Sequence, residues 1–118
     1  MREHTKLRAF ELADEIAMEI YRETRRFPKE EVYGLTSQMR RAAVSVPSNI
    51  VEGCARESQA EYLRFLEIAF GSLRELSYQC SLARRLDYFE GETSAVLLSK
   101  IAEAEKVLGA LLRSLRPP

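Results

Sequence analysis

Apolar residues recur along most of this 118-residue chain at alternating spacings of three and four, which is the spacing of one face of an α-helix. Four such segments predict helices over residues 6–26, 35–54, 58–86 and 93–115. No window alternates apolar and polar residues for long enough to indicate a strand. Because short connections favour antiparallel neighbours, the sequence predicts an all-α, up-down-up-down four-helix bundle that forms a single domain over residues 1–118.

Each predicted helix has a stripe of residues that we expect to face the core. The stripes are Phe10, Ala13, Ala17, Ile20, Thr24 and Phe27 in the first helix; Leu35, Met39, Ala42, Val46, Ile50 and Gly53 in the second; Tyr62, Leu66, Ala69, Leu73, Leu76, Cys80 and Ala83 in the third; and Leu97, Ile101, Ala104, Leu108, Leu111 and Leu115 in the fourth. Turns are expected at Phe27-Pro28, because the residue before a proline avoids the helical region, and around Gly91.

The third segment is the most strongly patterned. Ser58 and Glu61 have the spacing of a capping box, in which each side chain satisfies a free amide of the other residue. A second seam runs beside its core stripe and is polar in the middle; it consists of Phe65, Ile68, Ser72, Glu75, Gln79, Leu82 and Leu86. A lone bundle does not need two seams on one helix, so this pattern predicts that the third helix docks on something outside its own chain.

A proline lies inside the second predicted helix. In a helix interior, Pro47 removes one backbone donor and clashes with the preceding turn, which costs roughly 3 kcal/mol. We therefore expect a kink or an opened turn at Pro47, shaped by a hydrogen bond from the Ser45 hydroxyl to the carbonyl of Arg41.

Charge and cysteine content limit the class of protein. Lys and Arg number 18, as do Asp and Glu, and a net charge of zero argues against a protein that coats nucleic acid by bulk electrostatics. No apolar run is long enough to cross a membrane, and the first residues lack the apolar core of a secretory signal. Cys54 and Cys80 do not have metal-site spacing, and we interpret them as reduced thiols in the helical core of a cytoplasmic protein.

No enzymatic motif is present in the sequence. His4 is the one histidine, and there is no Glu-x-x-His pair, phosphate loop or nucleophile elbow, so we predict neither catalysis nor a cofactor nor a metal site. Glu52 and Glu75 are the acids for which burial is plausible. We favour ion pairs over acid–base chemistry for them, Glu52 with Arg56 and Glu75 with Arg40 or Arg41. Ser45, Asn49 and Ser72 would complete a polar layer with these two acids.

Two groups of basic residues are candidates for phosphate contacts. The first comprises Arg40, Arg41 and Arg56, with Lys6 and Arg8 expected nearby; the second comprises Arg22, Arg25, Arg26 and Lys29 at the end of the first helix. Since acids interleave with the second group, we interpret it as a solvated face. The aromatic residues Tyr21, Phe27 and Tyr33 are spread too widely along the sequence to indicate base stacking.

Three stretches of the chain resemble a known family. GLTSQMRRAAVSVPSNIVEG (34–53), ARESQAEYLRFLEIAFGSLRELSYQ (55–79) and IYRETRRFPKEE (20–31) are similar to the four-helix-bundle proteins encoded in intervening sequences of bacterial 23S rRNA genes. The residues that fall in the family's pattern are Gln38, Arg40, Arg41, Ser45, Pro47, Asn49, Glu52 and Gly53.

The resemblance implies a non-enzymatic module that forms a homopentameric ring. In a related branch, the accessory variability determinants of diversity-generating retroelements, similar proteins bind nucleic acid and a reverse transcriptase. Those proteins are strongly basic, whereas this chain is neutral.

Two hypotheses follow from these observations. The first is a homo-oligomeric scaffold that binds RNA or DNA through Arg40, Arg41 and Arg56, with Pro47 and Asn49 shaping that surface. The second is a purely protein-binding structural ring whose arginines are committed to internal pairs with Glu52 and Glu75. A retroelement reverse-transcriptase accessory protein is a further alternative, which the resemblance implies.

Overall fold

The computed structural model describes residues 2–118, and these residues contain four α-helices and no strand. The helices are α1 (Arg8–Thr24), α2 (Leu35–Cys54), α3 (Gln59–Arg85) and α4 (Gly91–Leu115), with single 3-10 turns at His4–Lys6 and Lys29–Glu31. Both α1 and α3 pack against α2 and α4, so helices adjacent in sequence are adjacent in space. The predicted four-helix bundle is confirmed. None of its helices is both long and apolar enough to cross a membrane, among the residues described.

The core stripes of α2 and α3 are confirmed, since every residue predicted to face the core in these two helices is buried. In α4 the stripe is right as far as Leu108. There Leu112 is buried in place of Leu111 and Leu115, which are only partly covered. The core face of α4 therefore rotates by about one residue in its last turns, as a straight helix drifts relative to a strict heptad.

The prediction for α1 was wrong in its bounds and partly wrong in its face. The helix spans Arg8–Thr24 rather than 6–26. Phe10 and Ala17 are partly exposed, whereas Ala9, Leu12 and Ile16 are buried. The buried face of α1 is thus centred on a neighbouring stripe, which the sequence offered equally well.

The termini of α3 depend on two local devices. At its start, Ser58 Oγ accepts a hydrogen bond from the amide of Glu61 at 3.1 Å, which is the forward half of the predicted capping box. At its end, Asp87 has a left-handed backbone (φ 60°), and the amides of Asp87 and Tyr88 bond to the carbonyls of Arg84 and Ala83. This is the Schellman pattern.

The turn between α3 and α4 is shorter than predicted, because Gly91 is the first residue of α4 rather than part of the turn. The left-handed residue of this turn is Asp87. An aspartate tolerates this conformation better than most side chains because its short carboxylate can bond locally.

The close approach of α2 and α3 fixes their register. A Cβ placed on Gly53 would lie 3.0 Å from Cβ of Phe65 and 3.3 Å from the ring of Tyr62, so even an alanine would require these neighbours to shift by a few tenths of an ångström. Further along the pair, Ser45 Oγ and Ser72 Oγ are 2.8 Å apart. These two contacts hold α2 and α3 antiparallel with Ser45 opposite Ser72.

The second seam of α3 is only partly covered in the isolated chain. Gln79 is buried, while Phe65, Ser72 and Leu82 are half-buried. Ile68 is 43% exposed and Leu86 is 46% exposed. The apolar ends of this seam therefore lie at the surface of the bundle.

Both cysteines are free and buried, as the sequence predicted. Burial raises the pKa of the Cys80 thiol to about 12. It also raises the pKa of the Cys54 thiol, against an opposing hydrogen bond with Tyr62. Neither thiol is therefore ionised near neutral pH in the folded chain.

We predict that native protein reacts very slowly with a thiol-specific reagent at pH 8. With a pKa of about 12, only about one Cys80 thiol in 10⁴ is ionised at that pH, and the thiolate is the nucleophile. Absorbance of the released chromophore should rise quickly for both cysteines only after denaturant is added. Rapid labelling of Cys80 in the native protein would contradict the burial described above.

Candidate functional site

A groove of about 1200 Å³ lies over the outer side of the first half of α2. It is bounded on one side by the end of α1 and the following loop, and on the other by the middle of α3. Four basic side chains line it: Arg25, Lys29, Arg40 and Arg41. Among the described residues that line the groove, Glu75 is the one carboxylate. We call this feature the basic groove.

Arg40 is held in place without a carboxylate. Its Nε donates to Thr24 Oγ1 at 2.8 Å and its Nη2 donates to the carbonyl of Tyr21 at 3.3 Å. The guanidinium carbon lies 4.7 Å from the centre of the Tyr21 ring. Thr24 is itself fixed, because its hydroxyl donates to the carbonyl of Ile20 at 2.6 Å. Neutral partners orient the guanidinium and leave its charge uncompensated.

The predicted ion pairs do not form. No carboxylate in the described chain lies within 4.0 Å of the charged nitrogens of Arg40, Arg41 or Arg56. Glu52 and Glu75 are exposed rather than buried. Glu75 instead accepts a hydrogen bond from Gln79 Nε2 at 3.4 Å, one turn along α3. In water, these acids have little to gain from a distant arginine, since surface pairing is weak.

The polar layer reduces to three residues around Pro47. Ser45 and Ser72 share a hydrogen bond, and Asn49 Nδ2 donates to the carbonyl of Ser45 at 2.8 Å and to its hydroxyl at 3.0 Å. The prediction that the Ser45 hydroxyl bonds to the Arg41 carbonyl is therefore wrong, because this hydroxyl faces α3. The helix continues through Pro47 from Leu35 to Cys54.

The first basic group is split between the two ends of α2. Arg40 and Arg41 line the basic groove, whereas Arg56 follows the last turn of α2, about 22 Å away along the helix axis. The guanidinium of Arg56 lies 4.7 Å from the Phe65 ring centre. The prediction that all three arginines share one region is wrong, since a helix of this length separates its ends.

Lys6 and Arg8 lie at the same end of the bundle as Arg56, near the start of α1. Lys6 is exposed in the 3-10 turn. Arg8 is committed to two carboxylates, bonding Glu11 at 2.8 Å and Glu103 at 3.0 Å, and these bonds raise the pKa of its guanidinium. Arg8 therefore contributes little free positive charge.

The groove also uses residues that we had assigned to other roles. The sequence pattern indicated a solvated face for Arg25 and Lys29, yet both line the groove with Tyr21. Thr24 is buried, as its place in the core stripe predicted, and it also forms part of the groove wall. The one sequence signal for this arrangement is that Tyr21 and Arg25 are four residues apart and thus share a face of α1. Which face of α1 meets α2 could not be read from the periodicity.

Glu31 ties the loop of the groove to the start of α2. One of its carboxylate oxygens accepts from the Leu35 amide at 3.0 Å and the other accepts from the Tyr88 hydroxyl at 2.7 Å. The amide bond, and then the tyrosine bond, lower the pKa of Glu31, while the carboxylate raises the pKa of Tyr88. The segment carrying Lys29 is thereby anchored.

We predict that Glu31→Gln lowers the melting temperature at pH 7 and that this difference disappears in acid. Because the folded pKa of Glu31 is below its ordinary value of 4.5, its stabilisation is present above pH 4.5 and is lost as pH falls through the folded pKa. Thermal melts of both proteins across pH 2–7 would measure the effect. Glu57→Gln, at an exposed position without a hydrogen bond, is the matched control. A difference independent of pH would contradict the role of the charge.

Comparison with known proteins gives a family and a fold. A model of the family described as "23S rRNA-intervening sequence protein" matches residues 5–110. No curated protein matches the chain significantly. A solved structure from Bacteroides thetaiotaomicron, described as a protein with unknown function from the S23 ribosomal protein family, superposes with a TM-score of 0.81 and 22% identity. That match covers 89% of this chain and 95% of the other. At this identity the likeness shows the fold alone.

Proposed function

The chain belongs to the 23S rRNA-intervening sequence protein family, and on that premise we propose that it is a non-enzymatic, homo-oligomeric module that binds the phosphate backbone of RNA or DNA. The observation that carries the proposal is the convergence of Arg25, Lys29, Arg40 and Arg41 on one groove. None of the four is within 4.0 Å of a carboxylate in the described chain. The two free, buried cysteines support a cytoplasmic location.

A phosphate backbone is the ligand that best fits the groove. Guanidinium groups bind phosphate oxygens bidentately, and a preoriented guanidinium such as that of Arg40 loses little side-chain freedom on binding. Several cations along one surface can follow successive phosphates and release their counterions. The competing hypothesis of a ring with internally paired arginines loses its support, because those pairs do not form.

We predict that Arg41→Ala weakens binding to RNA and DNA oligonucleotides of any sequence. Arg41 is exposed and lines the groove. Loss of one phosphate contact should lower the slope of log affinity against log salt by roughly 0.7 for a single strand. Fluorescence anisotropy titrations over a salt series would measure this slope.

Arg64→Ala is the control for that experiment. Arg64 is an exposed arginine of α3 that lies outside the groove, so the slope should stay as in the parent protein. No binding by the parent protein at low salt, or equal effects of the two substitutions, would reject the proposed interface.

The outer side of α2 and α3 is the surface that we propose for self-assembly. Phe65 and Ile68 are three residues apart on α3 and therefore share the face that carries its second seam. Phe65 is half-buried and Ile68 is 43% exposed. The occupant that we propose is a second copy of the chain, and the family resemblance supports a closed ring of five. In such a ring, each chain contacts its two neighbours through two different faces.

We predict that Ile68→Glu lowers the oligomer mass measured by light scattering while leaving the helical circular dichroism unchanged. A charge at this position would be desolvated in the interface but stays in water in the monomer. Val96→Glu makes a matched change at a 54% exposed site on α4 and should leave the mass as it is. A monomeric parent protein, or dissociation of both variants, would contradict this interface.

A further inference from the structure

One exposed aromatic side chain lines the basic groove, and the loop at the edge of the groove carries another. Tyr21 lines the groove and remains 41% exposed although the Arg40 guanidinium lies against its ring. Tyr33 follows directly after Val32, which also lines the groove, and is 98% exposed. Phe27 is buried and belongs to the core. One exposed tyrosine ring therefore lines the groove, and the adjoining loop carries a second, fully exposed ring.

The exposure of Tyr33 is not explained by packing. Its side chain contributes nothing to the core, so the whole face of its ring can be offered to a ligand. Its backbone is nevertheless fixed on both sides. The amide of Val32 donates to the carbonyl of Lys29 at 3.1 Å, and the amide of Gly34 donates to the carbonyl of Glu31 at 3.0 Å.

The anchoring of Glu31 adds to this restraint. Its carboxylate bonds to the start of α2 through the Leu35 amide and to the turn between α3 and α4 through the Tyr88 hydroxyl. The loop therefore presents the ring of Tyr33 from a fixed backbone, so little backbone freedom is lost when a ligand stacks on it.

Charge and aromatic surface together discriminate between forms of nucleic acid. Cations alone bind the phosphates of a duplex and of a single strand alike. Tyrosine rings add affinity only where a base exposes its flat face, and in a duplex those faces are stacked inside. Arg25 and Lys29 lie on the same side of the groove as Tyr21 and as Val32, the residue before Tyr33, so phosphates and bases of one strand can be contacted together.

We propose that the basic groove binds a single-stranded polynucleotide in preference to a duplex, with phosphates on Arg25, Lys29, Arg40 and Arg41 and unpaired bases on Tyr21 and Tyr33. This inference rests on the proposed function and specifies the class of its ligand. Glu75, at the α3 side of the groove, repels phosphates there and directs the strand toward the loop.

The test compares labelled single-stranded oligonucleotides of about 12 nucleotides, as RNA and as DNA, with a hairpin duplex of equal charge; the length is within the usual site size of single-strand-binding modules. We expect tighter binding of the single strands by anisotropy. The RNA and DNA arms show whether the sugar contributes to recognition. Tyr33→Ala should weaken single-strand binding roughly fivefold or more and leave duplex binding unchanged.

Two further variants make the result specific to stacking. Tyr33→Phe keeps the ring and should retain parental affinity. Tyr78→Ala removes a tyrosine that is 61% exposed on α3 outside the groove, and this variant should also bind single strands with the parental affinity. Since Tyr33 is fully exposed, its substitution should leave the melting temperature unchanged.

Three results would overturn the inference. Equal affinity for single strand and duplex, with Tyr33→Ala silent, would reject base stacking while leaving phosphate binding by Arg41 intact. A Tyr33→Ala variant that bound normally but changed oligomer mass would assign the ring to self-assembly instead. Absence of binding to every oligonucleotide would reject the proposed function itself.

Discussion

The close contact between α2 and α3 is the constraint on which the rest of the surface depends. Gly53 allows the two backbones to approach until a Cβ would meet Phe65 at 3.0 Å. The hydrogen bond between Ser45 and Ser72 then sets how far one helix slides along the other. Once this register is fixed, Ile68 is placed beside the end of α2 and Glu75 beside the groove. A one-turn slip would move each of them by about 5.4 Å and break up both surfaces.

Pro47 lies between Ser45 and Asn49, in the part of α2 that is hydrogen-bonded to α3. The proline removes the backbone donor to the Ala43 carbonyl, four residues before it. On either side of the proline, Asn49 bonds back to Ser45, and Ser45 in turn bonds to Ser72 of α3. These three side chains therefore connect α2 to its neighbour in the turn that contains the proline. Because these side chains satisfy one another's hydrogen-bonding groups, no charged residue is needed in this layer.

Sequence periodicity predicted the helices and most of their buried faces, but it could not predict the neighbours of the exposed charges. A stripe such as Met39, Val46 and Ile50 reports the angle at which a helix faces the core, and this angle is a property of one helix. Whether Arg40 meets Thr24 or Glu75 depends on the rotation and register of two helices together. Nothing in a single periodic pattern specifies these quantities, so the groove formed by three helices could not be predicted from it.

The zero net charge of the chain is compatible with a strongly basic groove. At physiological ionic strength, exposed charges more than about 8 Å apart are largely screened from one another, so a ligand responds to the local charge rather than to the total. Four cations and one carboxylate line the groove. The carboxylates of Glu11, Asp14 and Glu15 lie on the outer face of α1, toward its other end. The acids that balance the charge of the chain therefore lie outside the groove, apart from Glu75. Arg40 stays available because Thr24 and Tyr21, rather than an acid, hold it in place.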